Sequence, residues 1–322
     1  MSEELRTMLE RHNELVAELR TSGRLDGRVR AARPLVVINK KFTTSDIPTR
    51  SLLVDAAGRP YGVLFLSTLL DHGYMARSVD IATRVKHALG EMLGSVILDP
   101  IAQGESGGCS FAVWPWHRTL TAVRGLAYLQ RRRILPRVLT WLHGATQRTA
   151  QAPQDSEVQK MFREPLARIS ADEHLPLPSQ RLARAGLKRI EFGDWRPRVA
   201  LQHKDILWNI LLPRDRSLRR QFPCGFILID WAGGALRGIP FINLLELART
   251  SRMPRAAARE ELLRHCDILC CEPPDIMSYA LASVGSTLAN LGHFPEDYYR
   301  ALFANHLRAW LETVRAILPI PG

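Results

Sequence analysis

No stretch of the chain supplies the roughly 20 consecutive apolar residues that a membrane-crossing helix needs, so no helical span is expected. The opening residues, MSEELRTMLERHNELVAELR, lack the basic flank and apolar stretch of a secretion signal. Cysteine is scarce, with five in 322 residues, an odd number without a regular framework, which suits a reducing compartment. These absences together predict a cytoplasmic protein. Lysine is also short for so basic a chain. Only six of the 44 basic residues are lysine (Lys40, Lys41, Lys86, Lys160, Lys188, Lys204), the rest are arginine, and the formal net charge is +12. The arginines are scattered, with runs only at RRR (131–133) and LRR (218–220), and no element interleaves them with aromatics in the manner of a nucleic-acid module. The charge therefore reads first as a solvated basic face and second as a site for an anionic partner, with nucleic acid last.

What is present is ordinary globular material, 46% hydrophobic and 24% charged, in one large or two moderate domains without internal repeats. Residues 1–20 carry a helical apolar spacing. PLVVIN (34–39) is a strand candidate, and RSLLVDAAGRPYGVLFLS reads as a hairpin turning at 55–60. A helix from about Ser78 follows, with Gly94 at its end, and then a second hairpin that turns at GESGG. After Trp116 the pattern becomes helical: 118–133, 135–150, a looser stretch at 150–178 with one short helix, a helix beginning PSQRLARAG, and a helical remainder from 241 broken at Met253-Pro254 and Pro273-Pro274. Cys266, Cys270 and Cys271 gather near His265, but their spacing matches no zinc pattern, and a helix with small thiols on its buried side explains them better.

The polar residues of LQHKDILWNILLP (201–213) stand out against this background. His203, Asp205 and Asn209 lie between the apolar flanks 199–201 and 210–212, where polar side chains need partners or a task. A second apolar run, GFILIDWAGG, ends in Asp230 at a glycine turn. If the strand candidates RVALQH and GFILIDW are neighbours, Asp205 and Asp230 face one another across their ends. Two carboxylates with an amide between them suit phosphoryl transfer: one orients and deprotonates a hydroxyl, the other holds Mg²⁺ with the amide.

HKDILWN followed by IDWAGGALRGIPFINLLEL resembles the catalytic core of the aminoglycoside phosphotransferase and choline kinase superfamily, small-molecule relatives of protein kinases. LTWLHG (139–144) and FAVWPWHRTL (111–120) resemble that family's L-x-L-H helix and its hinge, and the likeness runs over residues 34–250. It implies an α+β, protein-kinase-like two-lobe fold, with a small β-rich N-lobe and a larger, mainly helical C-lobe. The corresponding division is an N-terminal helical extension at 1–30, an N-lobe at 31–113 and a C-lobe at 114–322. It further implies that Asp205 is the catalytic aspartate, that His203 braces its loop, that Asn209 and Asp230 coordinate Mg²⁺, and that the main chain at Ala112, Val113 and Trp114 contacts the adenine of ATP or another nucleotide held between the lobes. The acceptor implied is a hydroxyl of a small molecule such as a sugar, nucleoside or lipid-linked sugar, and the arginine excess points to an anionic one.

Five departures accompany the resemblance. Three residues, where the family has four, separate Asp205 from Asn209; Asn243 stands where a second aspartate is usual. GVLFLS has no lysine on the third strand of the small lobe, and only Glu91 offers the glutamate of the next helix. NKKFTTSDIPTR replaces a glycine-rich phosphate loop, which leaves Lys40, Lys41 or Arg50 to supply positive charge to the phosphates. These losses also describe a pseudokinase, a binding or regulatory protein with little or no catalysis.

Overall fold

A computed structural model of the chain describes residues 3–35, 48–68, 71–121, 123–203, 205–215, 218, 220–288 and, near the C-terminus, 308, 310, 312 and 314. The chain divides into two compact units: Met1–Val123 with Asn209–Gly233, and Arg124–Trp208 with Gly234–Gly322.

The first unit is built on an antiparallel sheet of five strands: β1 (Val29–Pro34), β2 (Thr49–Asp55), β3 (Pro60–Leu66), β4 (Ala102–Ser106) and β5 (Cys109–Pro115), in the order β1-β2-β3-β5-β4. The β2–β3 turn forms because Asp55 Oδ1 accepts the N–H groups of Ala57 and Arg59, both at 2.9 Å, while Gly58 takes φ 74°. β5 reads as an unbroken apolar run because both its faces are covered. Phe111 and Val113 join Leu15, Val16 and Leu19 of helix α1 (Glu3–Thr21) in one cluster. Ala112 and Trp114 join Met75 and Val79 of helix α2 (Tyr74–Gly94) in another. The N-terminal helix thus falls where its apolar spacing predicts. It also buries a histidine: His12 bonds Ser51 at 2.5 Å and Thr49 at 2.8 Å, and burial lowers its pKa to about 4.

The hairpins and α2 match their sequence signals, although α2 begins four residues ahead of Ser78 and kinks at Gly90 (φ 72°, ψ −177°). The strand candidate at 34–39 fares differently: the edge strand ends at Pro34, and residues 36–39 lie outside the described residues. A small sheet completes this unit, with β6 (Arg118–Thr119), β8 (Ile210–Leu212) and β9 (Ile227–Leu228) in the order β6-β8-β9.

The second unit is mainly helical. A single helix, α3 (Arg124–Thr149), replaces the two expected over 118–150, with Pro136 accommodated inside it. The looser stretch at 150–178 winds instead as α4 (Asp155–Val158), a π-helical turn at Gln159–Arg163 and α5 (Glu164–Ala171). Then come α6 (Leu177–Phe192), the short strands β7 (Ala200–Gln202) and β10 (Ala235–Gly238), α7 (Ile242–Ser251), α8 (Arg255–Leu269) and α9 (Asp275–Leu288). The breaks before α8 and α9 coincide with Pro254 and Pro273-Pro274, as the sequence requires. Phe162, Trp195 and Tyr279 pack edge to face with ring centroids 5.0–5.9 Å apart, and Gly285 lets α9 approach α5 so closely that a Cβ there would lie 2.3 Å from the Pro165 carbonyl oxygen.

One expectation is overturned by strand pairing. β7 pairs with β10, whereas β9 pairs with β8, so the strands that carry the two carboxylates are not sheet neighbours. Their apolar residues are buried by different partners in different units, which apolar patterning cannot distinguish from burial against each other.

Candidate active site

In the second unit the residues around Asp205 are fixed mainly through their backbone. β7 is only three residues long, yet side chains from other elements satisfy its polar groups. Leu201 N–H donates to Thr149 Oγ1 on α3 at 2.9 Å, and Leu201 C=O accepts from Asn243 Nδ2 on α7 at 2.9 Å. Asn243 Oδ1 accepts the His203 N–H at 2.8 Å. Asn243 is therefore a two-handed clamp on the entry to the loop, a role that needs one acceptor and one donor, as an amide provides. Gln202 reaches over to accept the Ile239 N–H at 3.2 Å, and Gly238 leaves room for it, since a Cβ there would sit 2.3 Å from Gln202 Cβ. Gly238 thus has a steric reason in this chain.

Beyond the clamp, His203 is buried, as are Ile206 and Leu207, while Asp205 is exposed between them. Two buried hydrophobes pin the loop so that the carboxylate emerges from a fixed base. A 3₁₀ turn (Leu207–Asn209) ends the loop and presents Trp208, which is 61% exposed, with the Arg131 guanidinium stacked 5.1 Å from its ring centroid. His143, from the L-x-L-H stretch, packs edge to face with His265 of α8 at 5.9 Å.

The first unit holds Asn209 immediately before β8 and Asp230 two residues after β9, its antiparallel partner. Ile210 pairs with Leu228, and the Asn209 C=O accepts the Ile229 N–H at 3.1 Å, which places the two residues at the same end of the β8–β9 pair. Asp230 is exposed and takes φ 66°, the left-handed region that a non-glycine residue enters at a cost. The strain is held on both sides. Trp231 is buried and donates Nε1–H to the Leu228 C=O at 3.2 Å, and Tyr74 in the first turn of α2 donates its hydroxyl to Asp230 Oδ1 at 3.0 Å. Burial, reinforced by the neighbouring Asp230 charge, pushes the Tyr74 hydroxyl above its usual range, so it stays a donor at neutral pH. Tyr74 carries no periodic or motif signal and could not have been found from sequence.

The remaining predicted residues divide. Arg50 on β2 stands opposite Phe65 on β3, and its guanidinium lies over that ring at 5.4 Å from the centroid. Its charge is felt at the Tyr74 hydroxyl, and its buried Nε has no hydrogen-bond partner among the described residues. β3, which has no lysine, thus bears an aromatic ring with a cation from the neighbouring β2 stacked on it. Lys40 and Lys41 lie outside the described residues. Ala112 and Val113 are buried in β5, paired on one edge with β3 and on the other with β4, and the Val113 C=O already accepts the Ile101 N–H at 2.7 Å. Trp114 lies past the last β4 partner, Ala102, and pairs only with Val63 of β3.

An exposed carboxylate and an amide oxygen at the same end of two paired strands are hard donors of the kind that would suit Mg²⁺. Among the described residues no group of three His, Cys, Asp or Glu side chains is placed to hold a metal. Nor is any described helix long and apolar enough to cross a membrane.

No protein-family model matches this chain, and no curated protein matches its sequence. Solved structures do match in shape. An aminoglycoside phosphotransferase from Alicyclobacillus acidocaldarius superimposes with a TM-score of 0.47 at 12% identity, over 92% of this chain and 93% of that one. A fructosamine-3-kinase from Haemophilus somnus, so described provisionally, gives 0.48 at 10% identity, over 85% and 90%. A choline/ethanolamine kinase family protein from Mesorhizobium loti gives 0.50 at 14% identity, over 95% and 98%. On this last likeness and on its own five-stranded sheet and helical unit, the chain has the protein-kinase-like fold of the small-molecule kinases, a β-rich N-lobe and a larger helical C-lobe.

Proposed function

We propose that the protein is a nucleotide- and Mg²⁺-dependent phosphotransferase that acts on a hydroxyl of a small molecule. The observation that carries this reading is the strained, doubly braced Asp230 beside Asn209 in a chain of kinase-like fold. Backbone strain kept by two supports marks a carboxylate whose direction matters.

Asn209 and Asp230 would hold the metal, which when bound neutralises charge on the nucleotide phosphates. Asp205 accepts the proton of the acceptor hydroxyl as its oxygen attacks the terminal phosphorus, the bond to the bridging oxygen breaks, and the nucleoside diphosphate leaves. The Asn243 clamp and the buried His203 keep Asp205 in place for that proton. Arg50 supplies the cation that β3 lacks. The likeness in shape to a choline/ethanolamine kinase family protein supports a small hydroxyl-bearing acceptor; a sugar, a nucleoside or a lipid-linked sugar fits the reading here.

A second reading, a pseudokinase, is favoured by the hydrogen bond in which Tyr74 occupies Asp230 Oδ1 and by the missing lysine on β3. Thermal unfolding with ATP, with and without Mg²⁺, separates the two. Stabilisation that requires the metal and disappears in Asp230→Asn supports the phosphotransferase; indifference to both additions supports the pseudokinase.

A further inference from the structure

Helix α3 buries Ala127, Ile134, Val138 and Trp141 along one stripe, and its other face is unusual. Leu126, Tyr128 and Leu129 stand 52–55% exposed in its first turns, where large apolar side chains ordinarily find cover. The next turns expose Arg132, Arg133 and Arg137, and the 26-residue helix contains no acidic residue. Among the described residues none of these arginines is paired with a carboxylate. Arg132 lies 5.8 Å from the Tyr128 ring centroid and Arg131 stacks on Trp208, so the basic and aromatic surface runs on from α3 to the 3₁₀ turn beside Asp205.

We propose that this face docks the protein on an anionic phospholipid surface. The chemistry of each half selects that partner. Unneutralised arginines attract acidic headgroups, and Leu126, Tyr128 and Leu129 at the tip supply apolar and amphipathic side chains that settle at the headgroup–acyl boundary. A soluble anion would use the arginines and leave the leucines in water. From Leu126 to Arg137 the face is about 16 Å long at 1.5 Å per residue, enough to meet several headgroups at once. Trp208, on the 3₁₀ turn that follows Asp205, extends the surface toward that loop. If the phosphotransferase reading holds, an amphiphilic acceptor held there is presented to the proton-accepting carboxylate.

The test needs no nucleotide, so its failure is distinct from failure of the phosphotransferase reading. The full chain is sedimented with vesicles of phosphatidylcholine alone and with vesicles containing about one-third phosphatidylglycerol. Binding is expected to the second only and to weaken with added salt. Arg132→Gln with Arg133→Gln lowers partitioning about 25-fold, near fivefold for each charge close to the surface. Leu126→Ser with Leu129→Ser lowers it about tenfold or more, from lost apolar insertion. Arg255→Gln with Arg259→Gln, the same change in net charge on α8, alters it less than threefold. Equal binding to neutral vesicles, no binding to either, or an equal loss in the α8 control overturns the proposal. So does self-association that the α3 substitutions abolish without any vesicle binding, which would assign the face to a second copy of the chain.

Discussion

Asp205 and Asp230 are both exposed carboxylates that follow short buried strands, but they are held in place by different means. Asp205 rides on a relaxed loop anchored from beneath: the Asn243 clamp and Thr149 fix the backbone before it, and Ile206 and Leu207 anchor the chain after it. Asp230 sits on a strained residue at φ 66° and is gripped by its own side chain through Tyr74. On the proposed function, the first arrangement suits a proton acceptor and the second suits a metal ligand aimed by its backbone.

That contrast predicts different responses to substitution. The largest effects are expected at the two carboxylates: Asp205→Asn lowers phosphoryl transfer, read as ATP hydrolysis with water in place of the acceptor, by about 10³-fold, within the range for a lost general base. It leaves the Mg²⁺-dependent thermal shift with ATP intact. Asp230→Asn abolishes both, and equal behaviour of the two variants would erase the distinction.

The next effect is on stability. Asn243→Leu orphans the His203 N–H and the Leu201 C=O, both of which face a buried side chain, and costs about 3 kcal/mol in urea unfolding. Because Tyr74 grips a carboxylate exposed to solvent, Tyr74→Phe costs only about 1 kcal/mol and leaves nucleotide binding within a few-fold. A larger cost at Tyr74 than at Asn243 would reverse the comparison.

Acid separates the units' burial chemistry from the site. His12, His117 and His265 have pKa values lowered to about 4, each chiefly by burial. Above pH 6.5 both folded and unfolded forms are neutral at these positions, and there is no linked effect. Between pH 6.5 and 4 the unfolded chain takes up protons that the folded chain refuses, so stability falls as pH falls, by up to about 1.4 kcal/mol per pH unit for each histidine. His12→Gln makes that slope shallower in unfolding melts recorded across this window. The smallest effect is expected at Arg237→Gln, which removes a partly exposed pair with Glu157 and costs about 0.5 kcal/mol.

Sequence reading recovered what depends on local spacing. The hairpin strands, α1, α2 and the proline-marked ends of α7 and α8 follow from apolar period and turn residues. The polar triad at 203–209 was legible because polar groups in an apolar frame stand out. What failed was pairing and continuity. The two helices expected over 118–150 are one, α3, which absorbs Pro136, and the apolar runs around Asp205 and Asp230 suggested mutual neighbours although each had another partner. Asn243 was visible only as a departure, with its bonds to residues some 40 positions earlier hidden. Tyr74 lies 156 residues from the aspartate it holds, a separation over which spacing carries no signal.

The first unit is made of two pieces of chain, and this dictates an order of assembly. β6 has its partner in β8, and Val96 C=O receives the N–H of Leu228, so residues 96–97 and 118–119 wait for a segment more than ninety positions downstream. A ribosome that has released only the first 123 residues has delivered the whole five-stranded sheet but left the rest of that unit unfinished. An isolated 1–123 fragment should therefore exchange its amide hydrogens fast at 118–119 while the sheet stays protected, and adding residues 209–233 in trans should slow them.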